Sequence, residues 1–157
     1  MTTATPADSP AVNVRPAERA DLLEIYRIET EAFGQPWPFG AFEQYLGEPG
    51  FLVASGESVL GYIVADIISH RGGPIGHIKD LAVHRNVRKK GIGTLLLTRA
   101  IHILESRHVQ AIKLEVRESN EPAIELYRSS GFEYRKRIEE YYDDGEDALL
   151  LVREPTG

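Results

Sequence analysis

Glu115, His77 and Tyr127 are side chains of the types that move protons, and the stretch from Val83 to Thr94 is patterned to hold an anion. That stretch reads Val83-His84-Arg85-Asn86-Val87-Arg88-Lys89-Lys90-Gly91-Ile92-Gly93-Thr94 and runs into a helix. The helix is predicted from Ile92, Leu95, Leu96, Arg99 and Ile103 at helical spacing, with Leu97, Ala100, Ile101 and Leu104 widening its buried face. A helix start carries positive partial charge, so each cation there costs ~0.3–1 kcal/mol unless compensated. An anion held between Arg88, Lys89, Lys90 and the free N–H groups reverses that sign. Gly91 and Gly93 let backbone approach it closely. A solvated basic loop leading into a surface helix accounts for the same residues, and this segment alone leaves both readings open. It is not a P-loop, because its lysines precede the glycines, nor a dinucleotide fingerprint, which needs glycine where Leu96 stands.

Each proton-transfer candidate also has a plain alternative. Glu115 alternates with Lys113 and Arg117, so it is either a base or part of a surface ion-pair stripe. An imidazole titrates near 6.5, which suits His77 to a relay, though strand histidines are often structural. Tyr127 is a phenol that keeps its proton at pH 7, or a core aromatic in helical step with Ala123 and Ile124. The acidic run Glu139, Glu140, Asp143, Asp144, Glu146 and Asp147 either draws in a cation or is simply solvated. Tyr141 and Tyr142 can lie half buried while their hydroxyls bond a peptide. Trp37, between Pro36 and Pro38, is either a pocket wall or a core plug. Asp80 is an acid inside an apolar strand, and the pattern offers no reason for it.

Composition narrows the classes. With 157 residues and 42% hydrophobic content, one domain over residues 11–157 is expected, after a disordered tail at residues 1–10 that lacks the apolar centre of a signal peptide. A net charge of −6 argues against nucleic acid as a partner. Absence of cysteine removes disulfides, thiolate metal sites and a cysteine nucleophile, and no metal is expected. No apolar run approaches the roughly 18 residues of a membrane span. A cytoplasmic protein with no membrane partner is the expectation.

The elements that must position these residues alternate between strands and helices. Strands are predicted at Val12–Arg15, Phe51–Ser55, Val59–Ile68, Ile75–Val83, Ala111–Val116, Phe132–Glu139 and Ala148–Val152. Helices are predicted at Ala20–Phe33 and Phe39–Leu46, from Ile92, and from an Asn120 cap with Pro122 in its first turn to Gly131. Asp144-Gly145 is a dipeptide of two-residue hairpin turns. This order predicts a mixed α/β (α+β) fold, with a mostly antiparallel sheet of about seven strands flanked by about four helices.

Several motifs together resemble a known family. Arg88-x-x-Gly91-x-Gly93 after a strand resembles the pyrophosphate-binding signature of the GNAT N-acetyltransferases. Leu114-Glu115-Val116-Arg117-Glu118-Ser119-Asn120, followed by Ala123, Leu126-Tyr127 and Gly131-Phe132, is similar to the corresponding run of the RimI-like branch. Tyr141-Tyr142-Asp143-Asp144-Gly145-Glu146-Asp147-Ala148 resembles the hairpin of protein N-terminal acetyltransferase catalytic subunits. The resemblance spans about Val12 to Arg153. It implies the GNAT fold and transfer of acetyl from acetyl-CoA, without a metal, to the α-amino group of a protein or peptide N terminus, ribosomal proteins among the candidates.

It also implies roles. Leu81, Ala82, Val83, Arg88, Lys89, Lys90, Gly91, Ile92, Gly93, Thr94, Asn120 and Tyr127 would contact the coenzyme, with a backbone N–H near Ala82 or Val83 holding the oxyanion. Glu115 would be the base or water-orienting residue. His77, in a Gly-His-x-x-x-x-Ala-Val context shared with archaeal relatives, would assist, and Tyr127 would protonate the thiolate. Phe33, Gln35, Trp37, Tyr141 and Tyr142 would line the acceptor site. Gln35 stands near where many relatives carry a glutamate that shapes first-residue preference, and Arg85 replaces a frequent proline. Direct attack is chemically adequate, since deprotonating an α-amine of pKa about 7.7–8.0 at pH 7 costs only ~1 kcal/mol. The same motifs allow two other classes: a CoA-binding regulator without catalysis, or an acetyltransferase for a small amine or a lysine side chain.

Overall fold

The computed structural model describes residues 11–155. The expected tail at residues 1–10 lies outside the described residues. Seven strands form one sheet: β1 (Asn13–Pro16), β2 (Leu52–Ser55), β3 (Val59–Ile68), β4 (Ile75–Val83), β5 (Ile112–Arg117), β6 (Glu133–Ile138) and β7 (Ala148–Arg153). Their spatial order is β1-β2-β3-β4-β5-β7-β6, antiparallel throughout except for the parallel β4–β5 pair. Four helices cover it: α1 (Leu22–Ala32), α2 (Phe39–Tyr45), α3 (Ile92–Ser106) and α4 (Glu121–Ser129). The expected mixed, mostly antiparallel architecture is the one observed.

Each face of the sheet has its own core. Leu96, Leu97, Ala100, Ile101 and Leu104 of α3 pack on Ile63, Ile78, Ile112 and Leu114. On the other face Leu22, Ile25 and Ile28 of α1 and Phe42 of α2 pack on Val53, Tyr62, Val64 and Ala82. The α1 start is held by Arg15, which donates to both carboxylate oxygens of Asp21 at 2.8 and 2.9 Å. That bond holds Asp21 below its ordinary pKa against the opposing effect of burial.

Two local features position the site. β4 and β5 pair only at Gly76–Ile112 and His77–Lys113, and beyond that the strands part. β4 also carries a bulge: Val64 pairs with Asp80 and Ala65 with Ile78, which makes Lys79 the extra residue. Ile78 below the bulge faces the α3 core, whereas Ala82 above it faces α1. The phase change therefore puts His77 and Asp80, three residues apart, on the same α1-side face.

One expectation fails. Asp144-Gly145 does not make a two-residue hairpin turn. β6 ends at Ile138 and β7 begins at Ala148, and the loop between them turns at Glu140 (φ 49°) and Gly145 (φ 91°). Asp144 keeps a negative φ because its carboxylate is engaged elsewhere, on Arg117 and on the Glu146 N–H.

Gly50 shows how tightly the sheet is packed. A Cβ there would lie 2.5 Å from the Ala65 carbonyl oxygen, and Gly50 O accepts the Ala65 N–H at 3.0 Å. Gly50→Ala should therefore lower the unfolding free energy by ~1–3 kcal/mol in urea denaturation. Gly56→Ala, whose nearest contacts would be at 3.7 and 3.8 Å, should stay within about 0.5 kcal/mol of the parent.

Candidate active site

The parting of β4 and β5 leaves a wedge that α3 and α4 wall into a cavity of about 510 Å³. Residues 81–83, Arg88, Lys89, residues 91–94, Asn120 and Tyr127 line it, which gathers nearly all the expected coenzyme contacts. Lys90 is exposed and does not line it. Gly91 precedes α3 with φ 83° and no side-chain cap, so the first-turn N–H groups point into the mouth. Nothing lies within 4 Å of a Cβ at Gly91. Glycine is required there by the left-handed backbone, not by crowding from the protein. At Gly93 a Cβ would meet Leu126 at 3.4 Å, so this glycine also sets how closely α3 approaches α4. The uncapped helix start, the cations and the length of the wedge fit a diphosphate with an extended thiol arm behind it.

The backbone donors follow from parity along β4. The His84 N–H bonds Leu60 in β3 at 2.7 Å. Alternation then turns the Ala82 N–H towards β3 as well, and the N–H groups of Leu81 and Val83 towards the wedge. Of the two N–H groups expected to hold an oxyanion, that of Val83 turns towards the wedge and that of Ala82 does not, whereas the Leu81 N–H does. The Leu81 N–H is already engaged by Asp80 Oδ1 at 2.9 Å.

A second cavity of about 440 Å³ opens on the α1 side. All five expected acceptor residues, Phe33, Gln35, Trp37, Tyr141 and Tyr142, line it together with Glu115 and Arg117. Leu81, Phe33, Asn120, Ala123 and Tyr127 line both cavities, so the two meet there. Both readings of Trp37 hold, since it lies 5.2 Å from Phe42 and 5.7 Å from Tyr45, ring centre to ring centre, while walling the cavity.

Glu115 and His77 meet across the last rung before the strands part. His77 Nε2 lies 2.7 Å from Glu115 Oε1, and Lys113 Nζ donates to Glu115 Oε2 at 3.1 Å. The stripe expected of Lys113, Glu115 and Arg117 is therefore real only in its first half. Burial opposes ionisation of Glu115, but the bonds from His77 and Lys113 outweigh it and bring its pKa down to about 2. Glu115 is thus an anion that orients its neighbours and holds no proton near neutrality. Asp66, paired with His77 across β3 and β4, has a buried Oδ1 without a hydrogen-bond partner among the described residues.

Tyr127 is 7% exposed and meets Phe132 edge-on at 5.8 Å between ring centres. Burial, followed by Asp80 and Tyr142, pushes its pKa up, so it stays a proton donor. It is both a core aromatic and a cavity wall. Asn120 accepts the Ala123 N–H at 3.3 Å, the cap expected of it.

The acidic run is less negative than it reads. Arg117 donates to Asp144 at 2.9 Å, to Glu146 at 2.8 Å and to Gln35 at 3.1 Å, and its guanidinium lies 4.1 Å from the Tyr142 ring centre. Arg137 pairs with Glu118 and Asp147. Bonds from Ser119 and Arg117 hold Glu146 at a pKa of about 2. The loop is fastened by these cations and is not simply a negative field for the acceptor.

Sequence reasoning passed over Glu29, which lines the second cavity, and Tyr62, which lies buried behind it. Glu29 is 1% exposed, accepts the Trp37 N–H at 2.8 Å and bonds the Tyr62 hydroxyl. Its signal was present: with Leu22 and Ile25 it falls on the buried face of α1 at helical spacing. Tyr62 gave none, being one aromatic in an apolar strand.

Comparison with known proteins gives a consistent picture. A sequence model of the acetyltransferase (GNAT) family matches residues 21–132. The N-alpha-acetyltransferase of Sulfolobus acidocaldarius is 35% identical over 88% of this chain and 90% of its own length. The crystal structure of the ribosomal-protein-S18-alanine N-acetyltransferase from Escherichia coli superposes with a TM-score of 0.80 at 28% identity, covering 94% of this chain and 97% of that one. The NatC complex bound to Gag peptide and CoA gives 0.85 at 25% identity over 92% and 99%.

The ionisation of Glu115 is open to direct measurement. Its folded pKa of about 2 lies below the ordinary 4.5, so its contribution to stability is present above pH 4.5 and is lost as pH falls through 2. His77→Ala removes the strongest of the bonds that lower it. In a carbon NMR titration the Glu115 carboxyl should then protonate at higher pH than in the parent. The matching acid-side loss of stability should become shallower.

Proposed function

Because the chain belongs to the acetyltransferase (GNAT) family, we propose that its two joined cavities bring acetyl-CoA and a protein N terminus together, and that the chain transfers the acetyl group to the terminal α-amine. The observation that carries this reading is their junction at Leu81 and Tyr127, between a basic glycine cradle and the His77–Glu115 pair. Acetyl-CoA supplies an activated thioester. Arg88, Lys89 and the N–H groups of residues 91–94 hold the diphosphate end, while Leu81 and Val83 face the acyl end. Phe33, Gln35, Trp37, Tyr141 and Tyr142 grip the peptide. The likeness to the Escherichia coli ribosomal-protein S18 enzyme supports ribosomal proteins as one substrate group.

The α-amine nitrogen bonds to the thioester carbonyl carbon and the carbon–sulfur bond breaks. The proton lost by nitrogen leaves through water ordered by Glu115 and His77, and the departing thiolate takes the Tyr127 proton, which solvent restores. The balance is acetylated amine plus free thiol. Glu115 acts by orientation, because its carboxylate takes up a proton only near pH 2. No helix among the described residues is long and apolar enough to cross a membrane.

Incubation with acetyl-CoA and peptides that differ in their first residue, read by mass spectrometry, should place acetyl on the α-amine. Acetyl on lysine side chains, or none at all, would overturn the reading. Tyr127→Phe should reduce kcat by roughly 10²–10⁴-fold with coenzyme affinity nearly unchanged.

Glu115→Gln should depress the rate at pH 7 more than His77→Ala, since Glu115 holds both His77 and Lys113. Its defect should shrink towards about pH 9, where the amine is already deprotonated. A larger defect in His77→Ala, or one in Glu115→Gln that ignores pH, would reverse the ranking.

A further inference from the structure

Asp80 and Glu29, which line the second cavity, and Tyr62, buried between them, form a polar cluster that the transfer scheme above does not use. Tyr62 is fully buried on β3, and its hydroxyl lies between two carboxyl groups. It bonds Glu29 Oε1 on one side and sits 3.3 Å from Asp80 Oδ2 on the other. A phenol has one proton, so it donates to one of these carboxyls and accepts from the other. Two carboxylates around one buried hydroxyl repel strongly if both are ionised, so the cluster retains one extra proton. Glu29 lies deeper and accepts the Trp37 N–H besides. Asp80 lines the cavity, beside Leu81 and Tyr127 where the two cavities meet. It is placed there by the bulge at Lys79.

Resting on the function proposed above, we propose that Asp80 is a positioning residue that works in its neutral, protonated form. In that form it donates from Oδ2 to Tyr62, which donates to the Glu29 carboxylate, and the negative charge lies behind Tyr62, away from the junction. Loss of the Asp80 proton to solvent places an anion against Leu81. This anion holds the Leu81 N–H, one of two backbone donors facing the wedge, and it opposes negative charge developing on the acyl oxygen. It also opposes formation of the Tyr127 phenolate. Transfer is therefore switched off from the alkaline side.

The groups facing Asp80 are Glu29 from α1, Tyr62 from β3 and Tyr127 from α4. Across the cavity stand Glu115 and Arg117 from β5 and Tyr142 from the β6–β7 loop. Its neighbour Lys79 reaches towards the Tyr45 ring, 6.0 Å from its centre. Among these, burial and then Glu29 dominate, and both push the Asp80 pKa well above the ordinary carboxylate range. The Leu81 N–H and the Tyr62 hydroxyl oppose them without prevailing.

The test has an arm that does not depend on any acceptor. In the isotope-labelled full chain, the Leu81 amide resonance should titrate with a single step between about pH 5 and about pH 10, a span that brackets a raised carboxyl. Asp80→Asn should abolish that step. A Leu81 amide that stays flat over the range, or titrates identically in Asp80→Asn, overturns the proposal even if peptides are acetylated. The amide result stands equally if no peptide is acetylated, in which case only the functional reading falls.

The second arm compares kcat/KM against pH on one N-terminal peptide. Above the Asp80 pKa, the ratio of Asp80→Asn to parent should climb about tenfold per pH unit, since only the parent loses its neutral carboxyl. Parallel profiles, or a uniform loss at every pH, would mean that Asp80 is merely structural.

Discussion

Two parallel strands that stop pairing after two rungs leave backbone donors without a strand partner in the middle of a sheet, and both cavities of this protein are arranged around that gap. Buried N–H groups normally find partners. Here those of Leu81 and Val83 face the wedge opened between β4 and β5, with Asp80 engaging the first. The last rung, His77–Lys113, is also where Glu115 reaches back to His77. The wedge thus begins where the His77–Glu115 pair sits. The bulge at Lys79 completes the arrangement, since without it Asp80 would face the α3 core and not the acceptor side.

Charge is distributed with similar economy. The protein is acidic overall, and two groups of its cations stand out. One set sits at an uncapped helix start, where it is unfavourable until an anion arrives. The other, Arg117 and Arg137, fastens the acidic loop between β6 and β7 through Asp144, Glu146, Glu118 and Asp147. Arg117 additionally bonds Gln35 and lies over Tyr142, so one guanidinium joins both walls of the acceptor cavity. The rigidity of that wall comes from ion pairs, while its contact surface comes from tyrosine rings.

Buried carboxyls supply the remaining order. Glu29 ties the segment after α1 to the sheet by holding Trp37 and Tyr62 at once. Trp37 can then stack on α2 and still form a wall. Glu115 and Asp80 are acids in neighbouring strands with opposite tendencies, one driven down by its bonds to His77 and Lys113 and the other up by burial and the adjacent Glu29. Environment alone separates their roles.

The sequence by itself determined the elements, their order and the chemistry of the main segments. Apolar spacing together with turn and cap residues located all four helices and all seven strands to within about two residues, and β5, buried at every second residue, shows the alternation that burial on one face imposes. Cations, glycines and a helix start were adjacent in the chain, so the basic glycine loop that lines the first cavity was legible. Glu115, Tyr127 and Tyr141-Tyr142 were legible through motif likeness. Only the tertiary structure decided what depends on distant partners: that Glu115 meets His77, that Arg117 fastens the acidic loop, that the N–H of Leu81 and not that of Ala82 turns towards the wedge, and that Glu29 and Asp80 share a tyrosine. A bulge shifts alternation by one residue and leaves no mark in composition. The charge state of a buried acid is set by groups that lie far from it along the chain and within a few ångströms of it in the fold.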